Sequence, residues 1–151
     1  MTGGWLAAPA ALSYDGRMAD MTREGYLFEW RTRAPACQPQ WPTFRHDQQD
    51  SGNYNHDGTP PDAAEKVTLT ALGGGKFRLT FIAPGDNGPC GTPASYLTLV
   101  NGKKVSLGLK PTEGGSSFSA EITLPAGSTS FSIQAIDAAG NIGPQVTVPV
   151  P

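Results

Sequence analysis

Apolar and polar residues alternate along most of this chain, and the alternation has period two. Tyr26, Phe28 and Trp30 are interleaved with Leu27, Glu29 and Arg31, the pattern of a strand with one aromatic face. Similar runs cover residues 5–12 and 17–23, and the breaks between the three are Asp15-Gly16 and Glu24-Gly25, both hairpin signals. Residues 1–33 therefore predict a three-stranded β-meander. In the second half, strands are predicted at 66–72, 76–83, 95–100, 104–107, 117–124, 129–136 and 145–150. Short Gly, Pro, Asn-Gly and Ala-Gly-Asn segments separate them. Phe77, Leu79 and Phe81, then Phe118, Ala120, Ile122 and Leu124, then Phe131, Ile133 and Ala135 alternate with other residues. They supply the inward faces of two packed sheets, so residues 64–151 predict a β-sandwich.

Between the halves, residues 34–63 show neither period and read as an ordered connector. The whole is all-β. The 19 Gly and 14 Pro, about a fifth of the chain, supply frequent turns and disfavour long helices. Charged residues are only 16% of the chain and the net charge is −2, with Lys and Arg scattered. Nucleic acid and acidic membrane surfaces both require clustered cations and are excluded as expected partners. No apolar run reaches the roughly 18–20 residues that span a bilayer, and the first residues lack the basic region of a signal peptide. Cys37 and Cys90 form an even pair: two thiols in a reducing compartment, one disulfide in an oxidising one.

Two resemblances sharpen this picture. The segment with Asp15-Gly16, Glu24-Gly25 and Tyr26-x-x-x-Trp30, followed by Trp41-Pro-Thr-Phe-Arg-His-Asp47, resembles the last blade and exit segment of a secreted bacterial β-propeller. Only one blade is present, and one blade cannot close a propeller. Residues 64–151 resemble a fibronectin type III domain of the kind appended to secreted bacterial proteins. The resemblance rests on Phe81-x-Ala-Pro-Gly-Asp86, Cys90-Gly-Thr-x-Ala-Ser-Tyr96 and Ala135-Ile-Asp-Ala-Ala-Gly-Asn141. That family usually has a Tyr at the start of its sixth strand, whereas residues 125–132 here hold only Phe131 as an aromatic. Both resemblances imply an extracellular protein, and hence a Cys37–Cys90 disulfide tying the connector to the loop after the second sandwich strand.

Three constellations carry candidate chemistry. In the connector, His46-Asp47 and His56-Asp57 offer imidazole and carboxylate ligands to a transition metal such as zinc. The same stretch, from Asn53 to Gly58, matches the first half of a calcium loop, but the twelfth position is Ala64 rather than Glu. In the sandwich, Asp86, Asp137 and Asn141 lie in two loops expected at one end and could hold calcium; alternatively, Asp137 and Asn141 bond their own hairpin. In the meander, Trp5, Tyr26, Phe28 and Trp30 make an aromatic surface suited to a carbohydrate, a protein or a second copy. A propeller blade normally buries both faces, so this one predicts a homodimer. Nucleophile and phosphate-loop motifs are absent. The expectation is a secreted interaction module. The alternative is a small metal-dependent ester or phosphoester hydrolase using His46, Asp47, His56 and Asp57.

Overall fold

The computed structural model describes residues 10–13, 15–32, 37, 52 and 57–151. The chain divides into two compact units, Met1–Thr59 and Pro60–Pro151. Among the described residues there is no helix, and all strands pair antiparallel in three sheets, as the period-two pattern predicts. Trp5, Trp41, Phe44, His46, Asp47 and His56 lie outside the described residues.

The first unit contains the meander β1 (Ala11–Leu12), β2 (Arg17–Met21) and β3 (Leu27–Arg31), in the order β1-β2-β3. Gly16 turns the first hairpin at φ 79°, a conformation that L side chains resist, and Asp15 accepts from the Arg17 amide across it. The second hairpin closes through Thr22, whose carbonyl accepts from Gly25 and whose amide donates to Tyr26. The register places Met18 opposite Trp30 and Asp20 opposite Phe28. Because side chains alternate, Leu12, Met18, Phe28 and Trp30 share one face. Arg17, Glu29 and Arg31 occupy the other, where Arg17 reaches Glu29 at 2.9 Å.

The second unit is a sandwich. One sheet has the order β4-β5-β8, with β4 (Glu65–Gly73), β5 (Lys76–Ile82) and β8 (Ser117–Thr123). The other has the order β10-β9-β6-β7, with β6 (Ser95–Val100), β7 (Lys103–Lys104), β9 (Ser130–Ile136) and β10 (Val146–Pro149). Both sheets contribute to one core, in which Leu79, Phe81, Phe118 and Ile122 from the first meet Val100, Phe131 and Ile133 from the second. Phe81 stacks on Phe118 with centroids 4.5 Å apart, and the Tyr96 ring stands edge-on to both. Phe131 is wholly buried in this core.

The strand expected at 104–107 is a ladder only at Lys103–Lys104. Beyond it, Val105 still pairs with Thr98, and Val105, Leu107 and Leu109 pack on the core as an extended segment. Their alternation encodes burial rather than laddering. The β6–β7 turn is Asn101-Gly102, with φ 49° and 75°, as two-residue hairpins favour. Asn101 also reaches the neighbouring β8–β9 connection. Its Oδ1 accepts from the Thr129 amide (2.8 Å), the Thr129 hydroxyl (3.0 Å) and the Ser130 amide (3.1 Å), while its Nδ2 donates to the Gly127 carbonyl (3.0 Å). Asn101→Gly keeps the turn conformation and removes these bonds, so it is expected to cost about 2 kcal/mol in urea unfolding. A loss under about 0.5 kcal/mol would mean that water replaces the side chain fully.

Candidate functional site

Two regions contain the residues singled out from sequence. The first is the meander. Phe28 and Trp30 stack with ring centroids 5.9 Å apart, the cross-turn neighbour Tyr26 is 65% exposed, and Leu12 and Trp30 are also exposed. The aromatic face is therefore only partly open: Trp30 and Leu12 are a little over a third exposed, Met18 and Phe28 are half-buried and Asp20 is buried. A second exposed pair lies on the other face of the sheet, at residues that the sequence already marks as apolar. Met21 and Leu27 are opposite one another in the register, and Leu27 is 72% exposed. Both flank the Thr22–Gly25 turn.

The second region is the end of the sandwich at which β5 ends and β6 begins. Four segments meet there through their backbones. Gly88 donates to the Pro60 carbonyl and accepts from the Asp62 amide, and Pro61 is one of the largest fully buried side chains. Gly114 donates to the Gly91 carbonyl, and Gly115 to the Ala83 carbonyl. Three glycines permit the approach. A Cβ on Gly85 would lie 2.1 Å from the Cys90 nitrogen, one on Gly114 2.1 Å from the Pro89 carbonyl oxygen, and one on Gly143 2.6 Å from the Pro61 carbonyl oxygen. Pro60–Asp62, assigned to the connector on sequence, is part of this packed end. Cys90 lies in the Asp86–Cys90 turn, whose carbonyl at Cys90 accepts from the Asp86 and Asn87 amides. Cys37 and Cys90, the only cysteines of the chain, are disulfide-bonded.

The candidate cation ligands divide accordingly. Asp137 is 2% exposed, and its two carboxylate oxygens accept separately from the Asn141 amide and the Asn141 Nδ2, each at 2.7 Å. The Asp137 amide in turn donates to the Asn141 carbonyl, and Gly140, at φ 92°, completes the turn. This reciprocal lock is the hairpin-bonding alternative read from the sequence. Among the described residues, no three His, Cys, Asp or Glu side chains assemble to hold a metal. Asp57, the one described member of the connector set, accepts from the Thr59 amide at 3.2 Å and shapes a local turn.

Asp137→Ala removes the buried carboxylate that accepts from the half-buried Asn141 and is expected to cost about 2–3 kcal/mol of stability. That cost should be the same with and without added calcium. A calcium-dependent rise in melting temperature that disappears in the variant would instead make Asp137 a ligand. At the opposite end of the sandwich an open hollow of about 400 Å³ is lined by Phe77, Leu124, Pro125, Val150 and Pro151 with the Gly74–Gly75 and Ala126–Ser128 backbones. None of the side chains that line it is titratable. No described helix is long and apolar enough to cross a membrane. In comparisons with known proteins, no family model matches the chain and no curated protein is similar to it in sequence.

Proposed function

We infer that this chain is a secreted, non-catalytic interaction module in which a fibronectin type III-like sandwich carries a small adhesive meander. The observation that carries this reading is the exposure of apolar residues on both faces of the meander, Leu12 and Trp30 on one and Met21 and Leu27 on the other, with Tyr26 beside the turn. Exposed apolar residues concentrated on so small a sheet mark a binding surface. The mixture of aliphatic and aromatic groups suits a protein partner.

The sandwich supports the same reading. Its division into three strands, β4-β5-β8, and four, β10-β9-β6-β7, is compatible with a fibronectin type III-like sandwich. Its buried Asp137 is engaged in a turn and its hollow lacks titratable side chains, which favours scaffolding over catalysis. The disulfide favours an oxidising, extracellular compartment.

Two measurements test this. A polarity-sensitive hydrophobic dye should brighten on the wild type, and the signal should fall by more than half in a Tyr26→Ser, Leu27→Ser double variant of unchanged melting temperature. Equal brightening would remove the surface. Chromogenic ester and phosphoester substrates should give no turnover with or without chelator. Chelator-sensitive turnover lost in His46→Ala or His56→Ala would replace this reading with the metal-dependent hydrolase.

A further inference from the structure

The two sheets of the sandwich end in four edge strands, and an edge with free amides and carbonyls is a template for another strand. Three of the four are guarded. β4 has register shifts between Glu65 and Thr68 and between Ala71 and Gly73, and Lys66 sits at φ 52°, so its edge is kinked. β7 is two residues long, and both are exposed lysines. β10 contains Pro149, which has no amide hydrogen to offer.

β8 has none of these devices. All seven of its residues pair with β5 in unbroken register, from Ser117 opposite Ile82 to Thr123 opposite Lys76. It contains no Pro, Gly or Lys. Its one charge, Glu121, is 3.3 Å from Arg78 of its own sheet. Among the described residues, β5 is the only strand paired with it.

The hydrogen-bond phase fixes which groups face outward. Ala83 donates to the Ser116 carbonyl and Leu124 to the Gly75 carbonyl. Antiparallel ladders alternate, so Phe118, Ala120 and Ile122 exchange bonds with β5. The amides and carbonyls of Ser117, Ser119, Glu121 and Thr123 point away from it. Those four side chains are also exposed, whereas Phe118 and Ile122 are buried.

We propose that β8 is a self-complementary docking edge at which a second copy of this chain adds its own β8 antiparallel, about a two-fold axis at Ala120. That axis sets Ser117 against the partner's Thr123 and Ser119 against the partner's Glu121. These are the residues whose amides and carbonyls point away from β5, so the outward donors and acceptors meet in phase. Phe118 falls opposite the partner's Ile122 on the core side. Glu121 faces a serine rather than another carboxylate, so no like charges oppose. The product is one continuous six-stranded sheet with neither β8 left as an edge. This contact differs from the homodimer expected through the meander, and the two are separable by experiment.

The test is light scattering of the full chain across a wide concentration range. The mass should rise from 15.8 kDa toward twice that value. Ser119→Glu places a carboxylate against the partner's Glu121 at both symmetric positions and should weaken dimerisation at least about tenfold, while Ser119→Lys should tighten it. Both variants alter an exposed side chain and should keep the wild-type melting temperature of the dilute protein. Amide hydrogen exchange gives a variant-free check: the Ser119 and Glu121 amides should gain protection with concentration. The proposal is overturned by a monomer at every concentration, or by identical dimer affinities in the Glu and Lys variants. A dimer abolished by Trp30→Glu but unaffected by Ser119→Glu would likewise assign the contact to the meander.

Discussion

Phe131→Ala is expected to be among the most damaging single substitutions in the sandwich, lowering its stability by about 3–5 kcal/mol. Phe131 has no exposed surface, and it lies on β9, which is flanked on both sides by β6 and β10. Its register partners are Val100 and Val148, and both belong to the same core or pack against it. Strands bonded on two sides cannot slide in to refill the space, so the cavity term adds to the lost transfer energy. For a unit of this size the melting temperature should fall by about 15 °C or more. Phe131→Leu, which retains most of the volume, should cost only about 1–1.5 kcal/mol. Equal losses for the two variants in urea unfolding would show that shape rather than volume governs the site.

Breaking the Cys37–Cys90 bond should produce a loss of similar size. The closed loop is about fifty residues long, for which the chain-entropy relation gives about 4 kcal/mol. Cys37→Ser, with its exposed site, isolates this effect, because the serine hydroxyl there stays hydrated. Cys90 is buried, so Cys90→Ser should cost a further ~1 kcal/mol for an enclosed hydroxyl. Thermal unfolding of the two variants and of reduced wild type checks the ordering. If both thiols alkylate in unreduced, denatured protein, the bond is absent from the protein in solution.

The sandwich strands were legible in the sequence because each carries a two-residue alternation that burial imposes. Residues 95–100 were expected as a strand and form β6 over the same span, while 76–83 and 117–124 were each one residue too long. The excess has a common cause. Ala83 and Leu124 are buried and continue the apolar alternation, but their neighbours leave the ladder for turns. The 104–107 expectation shows the same confusion of burial with pairing more strongly. Pro60-Pro61 looked like linker because proline usually marks exposed chain, yet Pro61 is fully buried against the Gly88 and Gly143 loops. That contact depends on backbone approach between segments distant in sequence, and no local pattern records it.

The candidate sites were legible only in part. Asp137 and Asn141 were correctly paired by proximity, since an Asp-x-x-x-Asn turn can close on itself. Met21 and Leu27 were legible as apolar blade residues, but periodicity says which face a residue takes, not how much of it is covered, and the aromatic face is less open than they are. The free edge of β8 was likewise invisible, because strand order is a property of the assembled sheet and not of any one strand.

The glycine-mediated closure at one end of the sandwich has a practical consequence for engineering. Where backbones touch, any added atom must push a whole segment, so Gly85, Gly114 and Gly143 are poor places to graft a peptide or label. The opposite end is built differently. A side chain at Gly73, Gly74 or Gly102 would project into open space, restricted only by the positive φ of each hairpin. Foreign loops that supply their own turn residues belong there, and a reporter inserted at Gly74 should leave both the disulfide-bearing end and the β8 edge free.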